Sequence, residues 1–471
     1  MTEERHALIA RAEDTGPPAL RHAGVSFAAL ENPLERFGPL IERLARVTRP
    51  DAAHLRAALS AEAVAILERT PSGFTTIDAT PGFDSEPSRD LLGARDCLDR
   101  LWTGHHAWDA RRSLLSVPLH REPGKVVLLA VRNPASGMGE PLARILQTLW
   151  RTRGEPHDDI EIQVLTDLRR DFRLPVRLYE RYRRLQRAAI ESLSIVFQPI
   201  VSLGKIAGHV GVHSFEALAR RAPLDAGAPV GLLNAAHVWG DDLVVERDEI
   251  IVAKALSAYA SAHRSGPWDI PKPVSVNVSV RSLLSDAYLG SLREALASTG
   301  LRQVTLEISE QDPIRPRRDE IWDAEPHAYF HERLQHLARE TGVAFAVDDF
   351  GSDYASVSRM AELPLTQIKV DRRVLHHPTA LAELRFVEEI ARHRRDRAAR
   401  TVVVEGVDDL SPITLKQIYA VPIRHVQGYL AQQGAPSLHE LKADVREDIA
   451  ARVRGDAEQR ATGLPALRRS A

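Results

Sequence analysis

Eight short apolar runs recur through the second half of the chain, and each ends on a polar or charged residue. Buried parallel strands read as continuous apolar runs of this kind. Helical-looking segments separate most of the runs, so the series predicts an α/β fold built on a (β/α)8 TIM-like barrel. The runs are Ile195–Gln198, Val210–Glu216, Val274–Asn277, Val304–Glu307, Ala344–Asp349, Gln367–Lys369, Thr401–Glu405 and His425–Gln427.

The polar residues that end these runs are expected to converge in space. In such a barrel the carboxyl ends of the strands share one mouth, and that mouth carries the chemistry. The set holds five carboxylates, three amides and one lysine, an oxygen-rich combination that suits hard divalent cations. Its members are Gln198, Glu216, Asn277, Glu307, Asp348, Asp349, Lys369, Glu405 and Gln427.

The connection between the first two runs is too short for a parallel crossover. Only Pro199–His209 lies between them, whereas a parallel crossover needs about a dozen residues or more. We therefore expect an antiparallel first strand in the barrel.

Bulk composition excludes several classes of protein. The chain of 471 residues has a formal net charge of -2, so no overall basic field attracts DNA. Cys97 is the single cysteine, which excludes an internal disulfide framework and fits a reducing compartment. No apolar stretch approaches the roughly 18 residues of a membrane span. These features predict a soluble, cytoplasmic protein with no membrane span.

The first third of the chain predicts a small domain ahead of the barrel. A Pro- and charge-rich lead, 1–38, precedes an α+β pattern over 39–153. Two strand pairs are expected there, Ala63–Glu68 with Gly73–Ile77 and Ser113–Leu119 with Val126–Arg132, and Leu142–Trp150 is a closing helix. This layout weakly resembles a GAF sensory domain; an unrelated small α+β domain is the alternative.

Helical segments flank the predicted barrel, which spans 191–441. In the linker 154–190, a stripe of Leu178, Tyr182, Leu185 and Ala189 recurs at helical spacing. Either this helix packs on its own domain, or it is a short dimerising helix. Residues 442–471 form a charged helical tail, with Asp444–Arg454 as its helix.

The motifs around the runs resemble the EAL domain family of cyclic di-GMP phosphodiesterases. The similarity covers about Ile190–Leu441, and the family's barrel also has an antiparallel first strand. In order along the chain the matching motifs are Phe197-Gln198-Pro199-Ile200, Glu216-Ala217-Leu218 with Arg220, Val276-Asn277-Val278-Ser279, Leu306-Glu307-Ile308-Ser309-Glu310, Asp348-Asp349-Phe350-Gly351, Ile368-Lys369-Val370-Asp371, Glu405-Gly406-Val407 and Gln427-Gly428-Tyr429.

The resemblance implies hydrolysis of cyclic di-GMP to linear pGpG with two divalent cations, Mg²⁺ or Mn²⁺. Such a pair clamps the attacking and leaving oxygens of an in-line displacement. By resemblance, one cation is held by Glu216, Asn277, Glu307 and Asp348, and the second by Asp348, Asp349 and Glu405. Lys369 and Glu405 are the catalytic candidates. The substrate contacts are Gln198, Leu218, Arg220 and Gln427, and Glu310 steadies the loop after Asp349.

For one lysine and three histidines, a structural role is the alternative to a role in the candidate site. Lys369 is one of only seven lysines in an Arg-rich chain; it either meets a phosphate oxygen or forms a salt bridge with Asp371 or a neighbouring acid. His209, His213 and His425 flank strands, but we expect packing or surface roles for them because the family uses no His ligand.

The loop after Asp349 departs from the family pattern, because Asp353 replaces a Gly. No metal ligand is lost, which favours an active enzyme, whereas the altered loop leaves open a receptor that binds cyclic di-GMP without turnover. The resemblance also implies a homodimer with the helix at about Tyr354–Ala361 near its interface. An unidentified small molecule or protein is expected to act on the N-terminal domain.

Overall fold

The computed structural model divides the chain into two compact units. The first comprises Met1–Ala189 with Val230–Gly240, and the second comprises Ile190–Pro229 with Asp241–Ala471. Within these units the structure describes residues 43–44, 47, 50–59, 61–70, 73–81, 83, 106–109, 114–119, 125–130, 139–172, 176–204, 206, 209–223, 225, 227–309, 312–316, 320–322, 324–351, 363–392 and 400–455.

The first unit contains a five-stranded antiparallel sheet with the strand order β2-β1-β5-β4-β3. Helix α1 (Ala52–Leu59) is followed by β1 (Ala63–Thr70), β2 (Gly73–Ala79), β3 (Ala107–Asp109), β4 (Leu114–Pro118) and β5 (Lys125–Ala130). Strand β1 pairs with β2, and β4 pairs with β5, so both predicted strand pairs are confirmed. The three-residue strand β3 is too short to show a period in the sequence.

Four helices complete the first unit, and they bury most of the predicted stripe. They are α2 (Gly139–Arg151), α3 (His157–Asp171), α4 (Val176–Ser192) and α5 (Val230–Trp239). Leu178, Tyr182 and Ala189 of α4 are buried. The Tyr182 ring stacks on Trp239 of α5 with centroids 4.0 Å apart, and Trp239 Nε1 donates to Thr166 Oγ1. The stripe is thus covered within the chain, which favours the packing interpretation over a dimerising face.

The second unit is a closed eight-stranded barrel whose strands follow one another in chain order. The strands are β6 (Ser194–Ser202), β7 (Gly211–Arg220), β8 (Val274–Val278), β9 (Val304–Ser309), β10 (Ala344–Phe350), β11 (Gln367–Val370), β12 (Thr401–Val404) and β13 (His425–Gln427). Strand β6 is antiparallel to both of its neighbours, and every other pair is parallel. The predicted barrel with an antiparallel first strand is confirmed.

Helices follow the strands, as the alternating pattern predicted. They are α6 (Asp241–Arg264), α7 (Val280–Leu283), α8 (Asp286–Thr299), α9 (Pro326–Thr341), a 3-10 helix (Arg372–His376), α10 (Ala380–Arg392), α11 (Leu415–Ala420) and α12 (Ala443–Arg454). Helices α8 and α9 end at Gly300 and Gly342, whose left-handed backbone closes the last turn. Helix α12 confirms the predicted helix of the tail. Among the described residues, no helix combines the length and apolarity needed to cross a membrane.

The reversed first strand changes how one candidate reaches the mouth. Ser202, at the carboxyl end of β6, pairs with His425 at the start of β13, so this end of β6 lies at the opposite mouth. The prediction that Gln198 is the last residue of its strand is wrong, because Gln198 lies in the middle of β6. It reaches the candidate site because it pairs directly with Glu216 of β7.

Candidate active site

All eight strands of the barrel bring candidate side chains to one mouth. Parallel pairing in register holds neighbouring positions level: Asn277 is opposite Glu307, and Lys369 is opposite Val403. Glu405 directly follows β12, and its N–H donates to the Val370 carbonyl at 3.0 Å. The predicted convergence of residues that are remote in sequence is thus realised by strand register.

Lys369 lies at the centre of the acidic residues. The side chain is 1% exposed, and Nζ lies 2.6 Å from Glu405 Oε1 and 2.8 Å from Glu307 Oε2. The same atom lies 3.0 Å from Glu216 Oε2 and 3.0 Å from Asp348 Oδ1. Lys369 therefore pairs with four neighbouring acids, as the salt-bridge interpretation allowed, and Asp371 is not among them.

Glu216 is the acid whose charge is best satisfied. Beside Lys369, it accepts hydrogen bonds from Asn277 Nδ2 at 2.8 Å and from Gln427 Nε2 at 2.6 Å. Burial alone would raise the pKa of Glu216, but Lys369 and these amide donors outweigh it and hold the pKa below its ordinary value. Glu216 is therefore ionised at neutral pH.

The other three acids around Lys369 are poorly compensated. Burial, with the neighbouring carboxylates, raises the pKa of Glu307, of Asp348 and of Glu405, while Lys369 opposes the shift. One ammonium cannot balance four buried carboxylates. The mouth therefore requires either protons or additional cations.

Two adjacent aspartates face this mouth because the backbone breaks the strand pattern between them. Successive side chains of a regular strand point to opposite faces. Here the pairing of β10 with β11 shifts between Val347 and Phe350, and Asp349 has a left-handed φ of 58°. Such a conformation costs an Asp about 1 kcal/mol or more and is typical of functional sites. It re-aims Asp349 toward the side of Asp348.

Asp349 also has a neighbour that the sequence did not single out for this role. Burial, then the charge of Asp348 and the neighbouring Asp371 carboxylate, raise the pKa of Asp349 to about 7. Asp371 itself accepts from Arg373 N at 2.6 Å and so caps the 3-10 helix. No sequence signal distinguishes Asp371 as a neighbour of Asp349, because Asp349 belongs to β10 whereas Asp371 directly follows β11.

The donors fit a pair of hard cations. Two groups of carboxylates have oxygens within 4.8 Å of one another: Glu216, Glu307 and Asp348 form one, and Asp348, Asp349 and Glu405 form the other. Asp348 belongs to both groups, as expected of a bridging ligand. Glu307 Oε1 is buried without a hydrogen-bond partner in the described part of the chain. Unpaired carboxylate oxygens of this kind are ligands that Mg²⁺ and Mn²⁺ prefer.

The predicted substrate contacts lie along one edge of the same mouth. Leu218 and Arg220 follow Glu216 at two-residue steps along β7, so the three share one face of the strand, and Leu218 and Arg220 are half-buried. Gln427 Nε2 also donates to Gln198 Oε1 at 3.2 Å. Arg220 Nη1 donates to the Ala219 carbonyl at 2.9 Å.

The remaining candidates either fall outside the described residues or lie away from the acids. Glu310, Asp353 and the helix at about 354–361 fall outside the described residues. The rings of His213 and His425 are in contact in a tilted arrangement, with centroids 4.3 Å apart, and His425 pairs with Ser202 at the opposite mouth. Burial lowers the pKa of His425 to about 4, so it is neutral. These two histidines pack away from the acids, as predicted.

Comparison with known proteins places the similarity on the second unit. A family model described as "EAL domain" matches residues 182–433. The cyclic di-GMP phosphodiesterase NbdA of Pseudomonas aeruginosa is 28% identical over 272 residues, which are 56% of this chain and 32% of that protein. The oxygen sensor protein DosP of Escherichia coli is 29% identical over 254 residues, 52% of this chain and 28% of that protein. The chain thus spans about a third of the length of these relatives.

Among solved structures, the manganese and cyclic di-GMP complex of Klebsiella pneumoniae BlrP1 is 25% identical to this chain. The match covers 53% of this chain and 58% of that one, with a TM-score of 0.41.

Proposed function

Because this chain belongs to the EAL domain family, we propose that it hydrolyses cyclic di-GMP to linear pGpG in a reaction that requires divalent cations. The observation that carries the proposal is the pair of carboxylate groups that share Asp348 around Lys369. A family fold alone does not define a reaction, but this chain retains an acid at each position that a two-cation site needs.

Two Mg²⁺ or Mn²⁺ ions are the cofactors in this proposal. Glu216, Asn277, Glu307 and Asp348 would hold one, and Asp348, Asp349 and Glu405 the other. When bound, such a pair supplies Lewis acidity to the phosphodiester and makes hydroxide available at neutral pH. The excess negative charge at the mouth, which one lysine cannot balance, is the physical reason that cations bind there.

The chain's own side chains position the substrate and handle charge. Lys369 is a compact cation that is fixed by its acidic neighbours, and it can stabilise a phosphate oxygen that gains charge during displacement. Glu405 Oε1, 2.6 Å from Lys369 Nζ, is the candidate proton acceptor. Gln198, Leu218, Arg220 and Gln427 orient the substrate, and the planar guanidinium of Arg220 suits a phosphate or a guanine edge.

A receptor that binds cyclic di-GMP without turnover is the second candidate. It is favoured by Asp353, which places a carboxylate in the loop that follows Asp349 where the family has Gly. The retained ligand set favours the enzyme.

Regulation by the first unit belongs to the same proposal. Residues 39–153 would act as a sensory domain for a small-molecule or protein signal, with 154–190 as the connection to the barrel over 191–441 and 442–471 as the tail. A homodimer is the proposed assembly. Because α4 is covered at Tyr182 within the chain, contacts of the barrel rather than the α4 stripe would have to form it.

The decisive experiment incubates the purified full-length chain with cyclic di-GMP and Mg²⁺ or Mn²⁺ and resolves the products by chromatography. We expect pGpG in the presence of metal and none with excess chelator or with Asp348→Ala. Tight binding of cyclic di-GMP with no product under any metal would establish the receptor instead. Full activity in chelator would exclude the two-cation site.

A further inference from the structure

A buried carboxylate outside the acidic mouth holds the turn that follows β8. Asp248, on α6, is 4% exposed. Its Oδ2 accepts three hydrogen bonds, from Ser279 N at 2.9 Å, from Ser279 Oγ at 2.6 Å and from Ser282 Oγ at 2.6 Å. Its Oδ1 accepts from Arg247 Nε at 2.8 Å. Asp248 therefore ties one helix to the first residues after the strand that carries Asn277.

The charge of Asp248 is maintained by these contacts. Burial alone would raise its pKa, but Arg247 and the serine hydroxyls outweigh burial and hold the pKa below its ordinary value. A buried ion pair contributes little net stability compared with apolar residues of the same volume. Asp248 instead serves to orient the turn after β8, because its Oδ2 accepts hydrogen bonds from one backbone N–H and two hydroxyl groups of that turn.

Asn277 is exposed, and its side chain is held through the hydrogen bond from Nδ2 to Glu216 Oε1 at 2.8 Å. The position of the turn that follows Asn277 therefore also affects where this side chain lies. The pairing of β8 with β7 ends at Val276, and beyond that residue β8 pairs with β9 only. Asp248 contacts Ser279, which directly follows Val278, the last residue of β8 that pairs with β9. Asp312 Oδ2 adds one bond to the same turn, from Val280 N at 2.9 Å.

We propose that Asp248 is a positioning residue for the cation site, which fixes the turn after β8 and thereby holds Asn277 in place beside Glu216. This inference rests on the proposed function, because it assigns Asn277 as a ligand of a divalent cation. Groups that orient a metal ligand typically contribute 10- to 100-fold to metal affinity. Asp248 never touches the substrate or the cation, and its role is exerted through Ser279.

The test measures Mn²⁺ binding to the full-length chain directly, by the electron paramagnetic resonance signal of free Mn²⁺. Asp248→Asn keeps the shape of the side chain but removes the charge and turns one acceptor into a donor. We expect its affinity for the Mn²⁺ ion assigned to Glu216, Asn277, Glu307 and Asp348 to fall about 10- to 100-fold. Ser279→Ala keeps the backbone N–H bond and loses the hydroxyl bond, and we expect a smaller loss of about threefold to tenfold.

Ser275→Ala is the matched control. Ser275 lies at the other end of β8, is 4% exposed, and its hydroxyl has no hydrogen-bond partner in the described part of the chain. The same chemical change there removes no contact of the turn, so Mn²⁺ affinity should stay within twofold of that of the unaltered chain. Urea unfolding of each metal-free variant measures any loss of stability separately.

A positioning role also predicts how activity responds to metal. Turnover by Asp248→Asn should recover at saturating Mn²⁺, with the half-saturating concentration raised by the same factor as the dissociation constant. If Asp248→Asn is less stable but binds Mn²⁺ as tightly as the unaltered chain, Asp248 is merely structural and the inference is overturned. If the unaltered chain itself binds no Mn²⁺, the proposed function fails together with this inference.

Discussion

Replacing Lys369 by Met should destabilise the metal-free barrel and should do so most at neutral pH. The substitution nearly preserves volume but removes a buried cation that contacts four acids. Burial raises the pKa of Glu216, and Lys369 is the main group that opposes burial and holds this pKa low, so the substitution leaves Glu216 without its cationic partner. Breaking a buried pair by removing one partner costs about 3–5 kcal/mol.

The structure places the expected loss at the lower end of this range. Glu216 keeps its hydrogen bonds from Asn277 and Gln427 after the substitution, so two of its three donors remain. We therefore expect the free energy of unfolding at pH 7 to fall by about 3 kcal/mol. Because the pKa of Glu216 is lower in the folded than in the unfolded chain, ionised Glu216 stabilises the unaltered chain at pH values above its pKa in the unfolded state. Without Lys369 this contribution disappears and Glu216 takes up a proton, so the difference should narrow as the pH falls toward 4.5.

The assay is urea unfolding in chelator, followed by circular dichroism at pH 5 and pH 7, and repeated with Mn²⁺. Cations should restore more stability to Lys369→Met than to the unaltered chain, because they supply the missing positive charge. Lys272→Met is the control. Lys272 is half-buried and has no carboxylate partner among the described residues, so its replacement should change stability by only about 0.5 kcal/mol. Equal stability of Lys369→Met and the unaltered chain at pH 7 would refute the electrostatic account of the mouth.

Four further outcomes are expected. Glu216→Ala and Asp348→Ala should each abolish turnover, and equilibrium dialysis should show weakened binding of both Mn²⁺ ions to Asp348→Ala but of only one to Glu216→Ala. Ca²⁺ should inhibit hydrolysis in the chromatographic assay, because its longer and looser coordination disturbs an in-line clamp. Asp353→Gly should raise the basal rate of hydrolysis severalfold and reduce the dependence of that rate on residues 1–153. An unchanged rate would mean that Asp353 has no regulatory effect. The raised pKa of Asp349, about 7 against 3.8, stabilises the folded chain below about pH 4, so the metal-free protein should lose stability in urea titrations as the pH rises from 4 to 7.

Strand identity and topology followed from local features of the sequence. The run Thr401–Glu405 predicted β12 because three consecutive valines form its centre, and a strand buried on both faces is apolar without alternation. Val402, Val403 and Val404 are all buried in the structure. The antiparallel β6 followed from the length of one connection, since a chain of that length cannot cross over to form a parallel pair. Both arguments depend only on residues that are close together in the sequence.

The candidate acids were also identified from the sequence, but the contacts between them were not. That Asp348 belongs to two carboxylate groups, that Lys369 meets four acids, and that Asp371 meets Asp349 depend on the distances between strands. The left-handed backbone of Asp349 has no signature in its neighbours. Likewise, Val230–Gly240 lies between β7 and β8 in the sequence, yet the tertiary contacts assign it to the first unit.

The sequence by itself determined which segments become strands, in which direction the first of them runs, and which oxygen-bearing residues end near one mouth. Only the tertiary structure decided the charge balance of that mouth and the anchoring of Asn277 through Asp248. The physical reason is the separation along the chain over which each effect acts. Burial periodicity and loop length act between neighbours along the chain. Electrostatic coupling and hydrogen bonding at the mouth instead depend on angstrom-scale distances between residues up to 229 positions apart, such as Gln427 and Gln198. Strand register and barrel closure set those distances.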